Sequence, residues 1–262
     1  MKILIKLDEN NARVMEGLHN AAFDCGFKSL IWDERTRPSF DVVAEFKPEL
    51  VVCYGDTQGS AIESACKEYS VKIVNVSPTN ISGDMLATFH KPSADLLKCN
   101  QNKEKENDIV TLSEIDDRQI LKLAKMGIKC FSYKNKLNTP CYLGVVTSEE
   151  SHELLCSSKM FFIFSDDSEL MCSCIASDCI PMVINNKFLD AGIFPILDSQ
   201  ENLEAAINKI SSDNEYRLNI LREAKKFVFS SYTYHHRLSE VMQAAGKHDK
   251  SNLILERLEE YK

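Results

Sequence analysis

The sequence predicts an α/β protein of two domains, each a mainly parallel sheet covered by helices on both faces, with a cleft between them. Three observations predict it. Short apolar runs at 2–7, 49–54, 71–76, 160–164 and 180–184 alternate with stretches whose apolar residues recur every three or four positions, the pattern of strands joined by amphipathic helices. The run at 49–54, ELVVCY, is apolar after its first residue, as in a strand buried on both faces. The stretch NQNKEKEND at 100–108 interrupts the alternation with a linker composition.

In the first half, residues 1–7 (MKILIKL) open as a strand, and Asp8-Glu9-Asn10-Asn11 form the loop after it. Val14, Leu18, Ala21 and Ala22 give residues 12–25 a helical period, which Gly26 ends. A strand at 28–32, a turn at 35–38, a short helix at 40–46 stopped by Lys47-Pro48, and the 49–54 strand follow. A helix at 60–69 and a strand at 71–76 complete four parallel strands. The loop Gly55-Asp56-Thr57-Gln58-Gly59 lies at the carboxyl end of the third strand. Its glycines suit either a close backbone approach to a ligand or a tight turn. It is neither a G-x-G-x-x-G nor a Walker loop, so no dinucleotide or ATP site is expected. Residues 77–107 are irregular, broken by Pro78, Gly83 and Pro92. The first domain is therefore taken as 1–104, the second as 105–245, with a helical tail at 246–262.

The second half begins with a strand at 108–112, a helix at 116–126 capped by Gly127, and a strand at 129–133. The basic loop 134–138 follows, then a turn at Leu143-Gly144 and a polar helix at 148–157. The 160–164 strand leads into the acidic loop Ser165-Asp166-Asp167-Ser168-Glu169, a helix to Ser177 and the 180–184 strand. A loop between a strand's carboxyl end and a helix start suits ligand binding, because free N–H groups and the helix dipole face the ligand. An irregular segment at 188–197 ends in a short strand at 193–197. Leu203, Ile207, Ile210, Leu218, Leu221 and Val228 then mark the closing helices.

Composition excludes several classes. With 44% apolar and 27% charged residues over 262 positions the chain is an ordinary globular protein, long enough for two cores. No run reaches bilayer length, and the charged start does not read as a secretory signal, so a cytoplasmic protein with no membrane partner is expected. The net charge of −8 is spread along the chain, against broad phosphate-backbone binding. Ten cysteines without C-x-x-C pairs read as reduced, buried thiols, with no zinc expected.

The residues also carry a resemblance. Gly144, Glu149-Glu150, Ser157-Ser158-Lys159, Ser168-Glu169-Leu170, Ala176 and Pro181-Met182-Val183 stand in the order and spacing of the run G-x-L-s-x-E-E…S-A-K…s-E-L-R-x-x-E-A-x-A-C-G-x-P-V-V. That run resembles the donor-binding half of glycosyltransferases with two Rossmann-like domains (the GT-B fold), of which this would be a compact version. Cys174 stands where the family has the second glutamate, which holds the donor ribose, and Cys179 where it has a glycine. The segments 202–210, 217–228 and 232–242 (YTYHHRLSEVM) are similar to the closing helices of the CgeB-like subgroup. There Tyr232, Thr233, Tyr234, His236, Arg237, Leu238 and Glu240 match, and His235 replaces a glutamate. The resemblance covers about 108–245 and implies a last helix that crosses back onto the first domain.

The resemblance implies transfer of a sugar from a nucleotide sugar, expected to be a UDP-sugar, to a hydroxyl acceptor on a protein, glycan or small molecule. Such chemistry needs the leaving diphosphate stabilised, the ribose held and, for inversion, a base. Lys134, Lys136, Ser165, Asp166, Ser168 and Glu169 are the donor-binding candidates, on a basic and an acidic loop expected to face each other across neighbouring strands. Asp8, Asp56 and His90 are the base candidates, and Gly55, Thr57 and Gln58 form an acceptor-side loop. Asp166-Asp167 is not a D-x-D pair, so no obligatory metal or other cofactor is expected. Two alternatives stay open: the same chemistry on hydroxymethylated bases of phage DNA, and a non-catalytic binding protein of this fold.

Overall fold

The computed structural model describes residues 1–77, 86–89, 91–99, 103–112, 124–133, 141–163, 167–183 and 200–262. The chain forms two compact units, one of Met1–Leu97 with Ser231–Lys262 and one of Lys98–Ser230.

The first unit holds β1 (Lys2–Lys6), β2 (Lys28–Trp32), β3 (Leu50–Tyr54), β4 (Lys72–Ser77) and β5 (Ala87–Phe89). They form one parallel sheet in the order β2-β1-β3-β4-β5. Helix α1 (Ala12–Asp24) buries Val14, Met15, Leu18, Ala21 and Ala22, the expected three-to-four spacing. Gly26 follows at φ +73°, where a side chain would be strained. Helix α2 (Ser39–Phe46) stops at Lys47, which takes a left-handed φ of +50° ahead of Pro48. Helix α3 is Ala61–Glu68, and a single turn, α4 (Leu96–Cys99), carries the chain from the first unit into the second. One face of the sheet packs Leu4, Val51 and Cys53 on Val42, Val43, Ile62 and Ala65. The other packs Ile3, Ile5, Leu50, Val52, Val74 and Val76 on α1 and on helices from the end of the chain.

The second unit holds β6 (Asn107–Leu112), β7 (Lys129–Ser132), β8 (Tyr142–Val145), β9 (Ser158–Ile163) and β10 (Ile180–Val183). Its order is β10-β9-β6-β7-β8, again all parallel. Its described helices are α5 (Ser148–Cys156), α6 (Ser168–Ala176), α7 (Gln200–Ser212) and α8 (Asn214–Ser231). Two more, α9 (Tyr234–Ala244) and α10 (His248–Glu259), return to the first unit. Among the described residues no helix is long and apolar enough to cross a membrane.

Three features differ from the sequence expectation. The first sheet has a fifth strand, β5, inside the irregular stretch. The expected turn at Leu143-Gly144 is strand β8, at a sheet edge, where Leu143 and Val145 are exposed and strand chemistry is therefore faint. Residues 231–245, drawn with the second domain, and 246–262, drawn as a separate tail, both pack with the first unit. The reason is the apolar side of α9: Tyr234, Leu238, Val241 and Met242 belong to the α1 core. The strand expected at 193–197 lies outside the described residues.

Lysines at the amino ends of strands close the helices. Lys2 Nζ donates to the Phe46 carbonyl of α2 (3.0 Å), and Lys72 Nζ to the Ala245 carbonyl after α9 (2.8 Å). Lys105 Nζ donates to both Cys156 and Ser177, ending α5 and α6 (2.7 Å each). A cation at a helix carboxyl end satisfies orphan carbonyls and meets the negative end of the dipole. These contacts lie at the amino ends of the strands, opposite the loops at their carboxyl ends.

Candidate functional site

An open α/β sheet binds ligand outside the carboxyl ends of its strands, at the point where strand order reverses. In the first unit that point lies between β1 and β3, since β2 is built to one side of β1 and β3-β4-β5 to the other. The two bordering loops are those carrying Asp8 and Gly55-Asp56-Thr57-Gln58. The topology thus sets the loops that carry five sequence-selected residues beside one another.

The loop after β1 is locally tied. Half-buried Asp8 accepts from Asn11 Nδ2 (2.9 Å) and starts a single 3-10 turn. The loop after β3 is a built turn. Gly55 (φ +77°) and Gly59 (φ +73°) bend its ends in a region side chains avoid. Gly55 N donates to the Val76 carbonyl (2.8 Å), and Gln58 N to Asp56 Oδ1 (2.9 Å). Ser60 caps α3 by accepting from Glu63 N (3.3 Å), while Glu63 Oε2 accepts from Gly59 N (2.6 Å). This is a variant of the capping box. A carboxylate of the chain itself already occupies the start of α3, so this loop presents an exposed Asp56 rather than an anion cradle. Thr57, by contrast, is buried and donates to Asn75 Oδ1 (3.2 Å). Asn75 was not selected by sequence; its one signal is a polar residue inside the strand KIVNVS.

The rim of this edge is charged. Lys6 pairs with Glu34 (2.5 Å), Arg35 with Asp33 and Glu9, and Arg37 with Glu45. Lys6 and the Ser39 hydroxyl hold the Glu34 carboxyl below the usual range, and Arg35 brings Asp33 down to about 2. His90 lies outside the described residues.

In the second unit the order reverses between β6 and β9. The loops after β6 and β9 border that point, and the one after β9 is the acidic loop singled out by sequence. Asp167 caps α6 by accepting from Leu170 N (2.9 Å), and Ser168 and Glu169 form its first turn, half-buried. Ser165 and Asp166 lie outside the described residues, as do Lys134 and Lys136 in the loop after β7. The expectation that these two loops follow neighbouring strands is corrected by the topology. Strand β6 lies between β7 and β9, which separates the loop bases by roughly 10 Å.

Other residues of the resemblance are structural. Glu150 completes a capping box with Thr147, accepting from its N–H (2.7 Å). Ser157 and Ser158 donate back to carbonyls of α5, and Lys159 pairs with Asp108. Cys174 is fully buried, and burial raises its pKa well above that of an ordinary thiol. Cys179 N donates to the Cys174 carbonyl (2.9 Å) across Asp178 at φ +57°. This is a helix-ending Schellman turn whose apolar contact is the thiol pair. The left-handed position falls on Asp178, so Cys179 needs no glycine.

All ten cysteines are free and eight are buried. Among the described residues no group of three or more His, Cys, Asp or Glu could hold a metal ion. The tail histidines are also held in the fold. His235 Nε2 bonds Asp24 (2.9 Å), which also accepts from Arg257 Nη2 (2.9 Å) and Nε (3.2 Å). The His236 ring bonds the Thr233 hydroxyl (2.8 Å), and burial brings it down to about 4.

No family model matches the chain, and no curated protein sequence matches it. Among solved structures it is similar to Anabaena HepE in complex with UDP-glucose, at 11% identity and a TM-score of 0.53, covering 95% of this chain and 99% of that one. A glycosyltransferase from Rickettsia africae ESF-5 matches at 9% identity and a TM-score of 0.57, over 96% of this chain and 98% of that one. The likeness shows the fold, two parallel-sheet α/β domains of the GT-B type.

Proposed function

We propose that the chain is a glycosyltransferase that moves a sugar from a nucleotide sugar, with UDP-sugar as donor, to a hydroxyl of a protein, glycan or small molecule. The observation that carries the reading is the coincidence at the β6/β9 switch point. The loop that the residue pattern marks for donor binding is one of the two loops that the topology sets there. The likeness in fold to a structure holding UDP-glucose supports it along nearly the whole chain. The tail residues Tyr232, Tyr234, Arg237 and Glu240 support a place in the CgeB-like subgroup, and the free thiols suit the cytoplasm.

In this reading Lys134 and Lys136 meet the diphosphate, with Ser165, Asp166 and Ser168 lining the loop. Glu169 accepts hydrogen bonds from the ribose hydroxyls. The acceptor oxygen forms a bond to the anomeric carbon, the carbon–oxygen bond to phosphate breaks, and UDP leaves with the electron pair. The acceptor's proton passes to a base, for which Asp8 and Asp56 are candidates; Asp56 is exposed with one oxygen held by Gln58 N, and Asp8 accepts from Asn11. His90 is the third candidate. No metal is required by these roles.

A DNA acceptor gains no support from the first unit, where Lys6, Arg35 and Arg37 are each already paired with a carboxylate. The non-catalytic reading has one observation in its favour, the buried thiol at the position of the ribose-holding glutamate. Incubation with UDP-glucose and a panel of hydroxyl acceptors, followed by UDP release and product mass, separates the readings. Acceptor-dependent UDP release is expected; donor binding with no release would favour the binding module.

A further inference from the structure

We infer that Asn75, through the Thr57 hydroxyl, is a positioning residue that aims the Asp56 carboxylate into the β1/β3 crevice. The inference rests on the reading of Asp56 as the base. Along β4, Val74 and Val76 face the α1 core, while Ile73 packs with the α2/α3 core. Alternation along a strand puts Asn75 on the α2/α3 face, where an apolar residue would be the ordinary choice. It is instead a fully buried amide, paired in register with Cys53 on β3.

The loop above it alternates in the same way. Asp56 and Gln58 are exposed, and Thr57 between them is 4% exposed, with its hydroxyl donating to Asn75 Oδ1 (3.2 Å). The Thr57 carbonyl is held from the other side by Ser60 N (3.0 Å) and Ser60 Oγ (2.6 Å). With Thr57 bonded to Asn75 and Gly55 N bonded to the Val76 carbonyl, the chain is held on both sides of Asp56. The Gln58 N–H then fixes one carboxylate oxygen of Asp56 (2.9 Å), while no bond to the other is recorded among the described residues. A buried polar pair under a loop whose flanking residues are exposed orients that loop; a purely apolar contact would fill the space without directing it.

The test is a double-mutant cycle with a structural readout. In the full chain, Thr57→Val removes the hydroxyl at nearly constant shape. Amide exchange at Gln58 and Ser60 should rise by about ten-fold, with Val51 and Val52 in β3 unchanged. Turnover of UDP-glucose should fall by about ten-fold with little change in donor KM, and Thr57→Ser should restore most of it. In the Asp56→Asn background Thr57→Val should have no further effect, because the two act as one unit. An equal loss in both backgrounds, or unchanged Gln58 exchange, would overturn the inference. If the unaltered protein turns over no nucleotide sugar, the proposed function fails, and the Gln58 and Ser60 exchange still decides whether Asn75 and Thr57 position Asp56.

Discussion

The two units share a parallel five-stranded plan but differ in strand order and in what completes them. The first reads 2-1-3-4-5 and the second 3-2-1-4-5 when strands are counted within each unit. The reversal therefore falls beside the first strand in both, but between strands one and three in one unit and one and four in the other. The first unit borrows a helix pair from the far end of the chain to cover one face of its sheet. The second draws its described helices from its own span and gathers two of their ends on one lysine. Both halves cap helix ends with lysines, but the first adds long-range packing by the returning helices, whereas in the second a single lysine caps two helices.

Breaking the borrowed packing should have the largest effect. Tyr234 is buried with its ring against α1, so close that a Cβ on Gly17 would lie 2.3 Å from it. Tyr234→Ala should cost about 3–5 kcal/mol, the range for removing a fully buried aromatic ring. Gly17→Ala should be destabilising for the opposite reason, overpacking, by about 1–3 kcal/mol or more. Denaturant unfolding checks both; a Tyr234→Ala loss under about 1 kcal/mol would mean that the tail is an appendage.

The second unit should answer to its lysine. Burial pushes the Lys105 pKa down, yet the ammonium donates to two helix-ending carbonyls. Lys105→Met leaves both carbonyls to find other partners and should cost about 1–3 kcal/mol. The two perturbations sharpen the contrast further if their transitions separate, since each should lower only its own unit's melting step.

Acid should act first on the tail. His236 falls to about 4 by burial, and His235 is lowered by burial despite Asp24. Both have folded pKa values below the unfolded value near 6.5, so the unfolded chain binds protons more readily. Stability is full above about pH 6.5 and is lost as pH falls towards about 4, by about 1–2 kcal/mol from His236 after allowing for its partial exposure. Asp24, lowered by its hydrogen bonds to Arg257 and His235 despite burial, adds a loss in the same direction below about pH 4. A stability profile flat from pH 7 to 5 would contradict the histidine assignment. The smallest effect should come from Lys72→Met, which removes one capping bond where Lys105 makes two, at about 0.5–1.5 kcal/mol.

Much of this was legible in the sequence, for physical reasons. Strands buried on both faces, such as 50–54, and amphipathic helices, such as 12–24, declare themselves by period. Loops at carboxyl ends follow from them, so Asp8, Asp56 and Glu169 could be placed before any coordinates. The edges were not legible. β8 exposes alternate residues beside Gly144, and β5 is three residues long, too little for a period. Asn75 and Lys105 were missed because their roles are set by partners in other elements. Asp24 is a helix-end acid that only its partners 211 and 233 positions away explain. Where Cys174 would sit could be aligned but not foreseen; the Schellman turn that buries it depends on Asp178.

The claim on which the account turns is that the second unit holds a nucleotide sugar at the loop leading into Glu169. Thermal unfolding with a panel of nucleotide sugars tests it directly, since a ligand that binds only the folded state must stabilise it. UDP-glucose at about one hundred times its Kd should add about 2.7 kcal/mol, a rise of several degrees. Glu169→Ala should weaken that binding by about 1–3 kcal/mol. If no nucleotide sugar raises the melting temperature of the unaltered protein, the donor site is not there. If UDP-glucose does so equally well with Glu169→Ala, the site lies elsewhere than the loop that both the residues and the topology select.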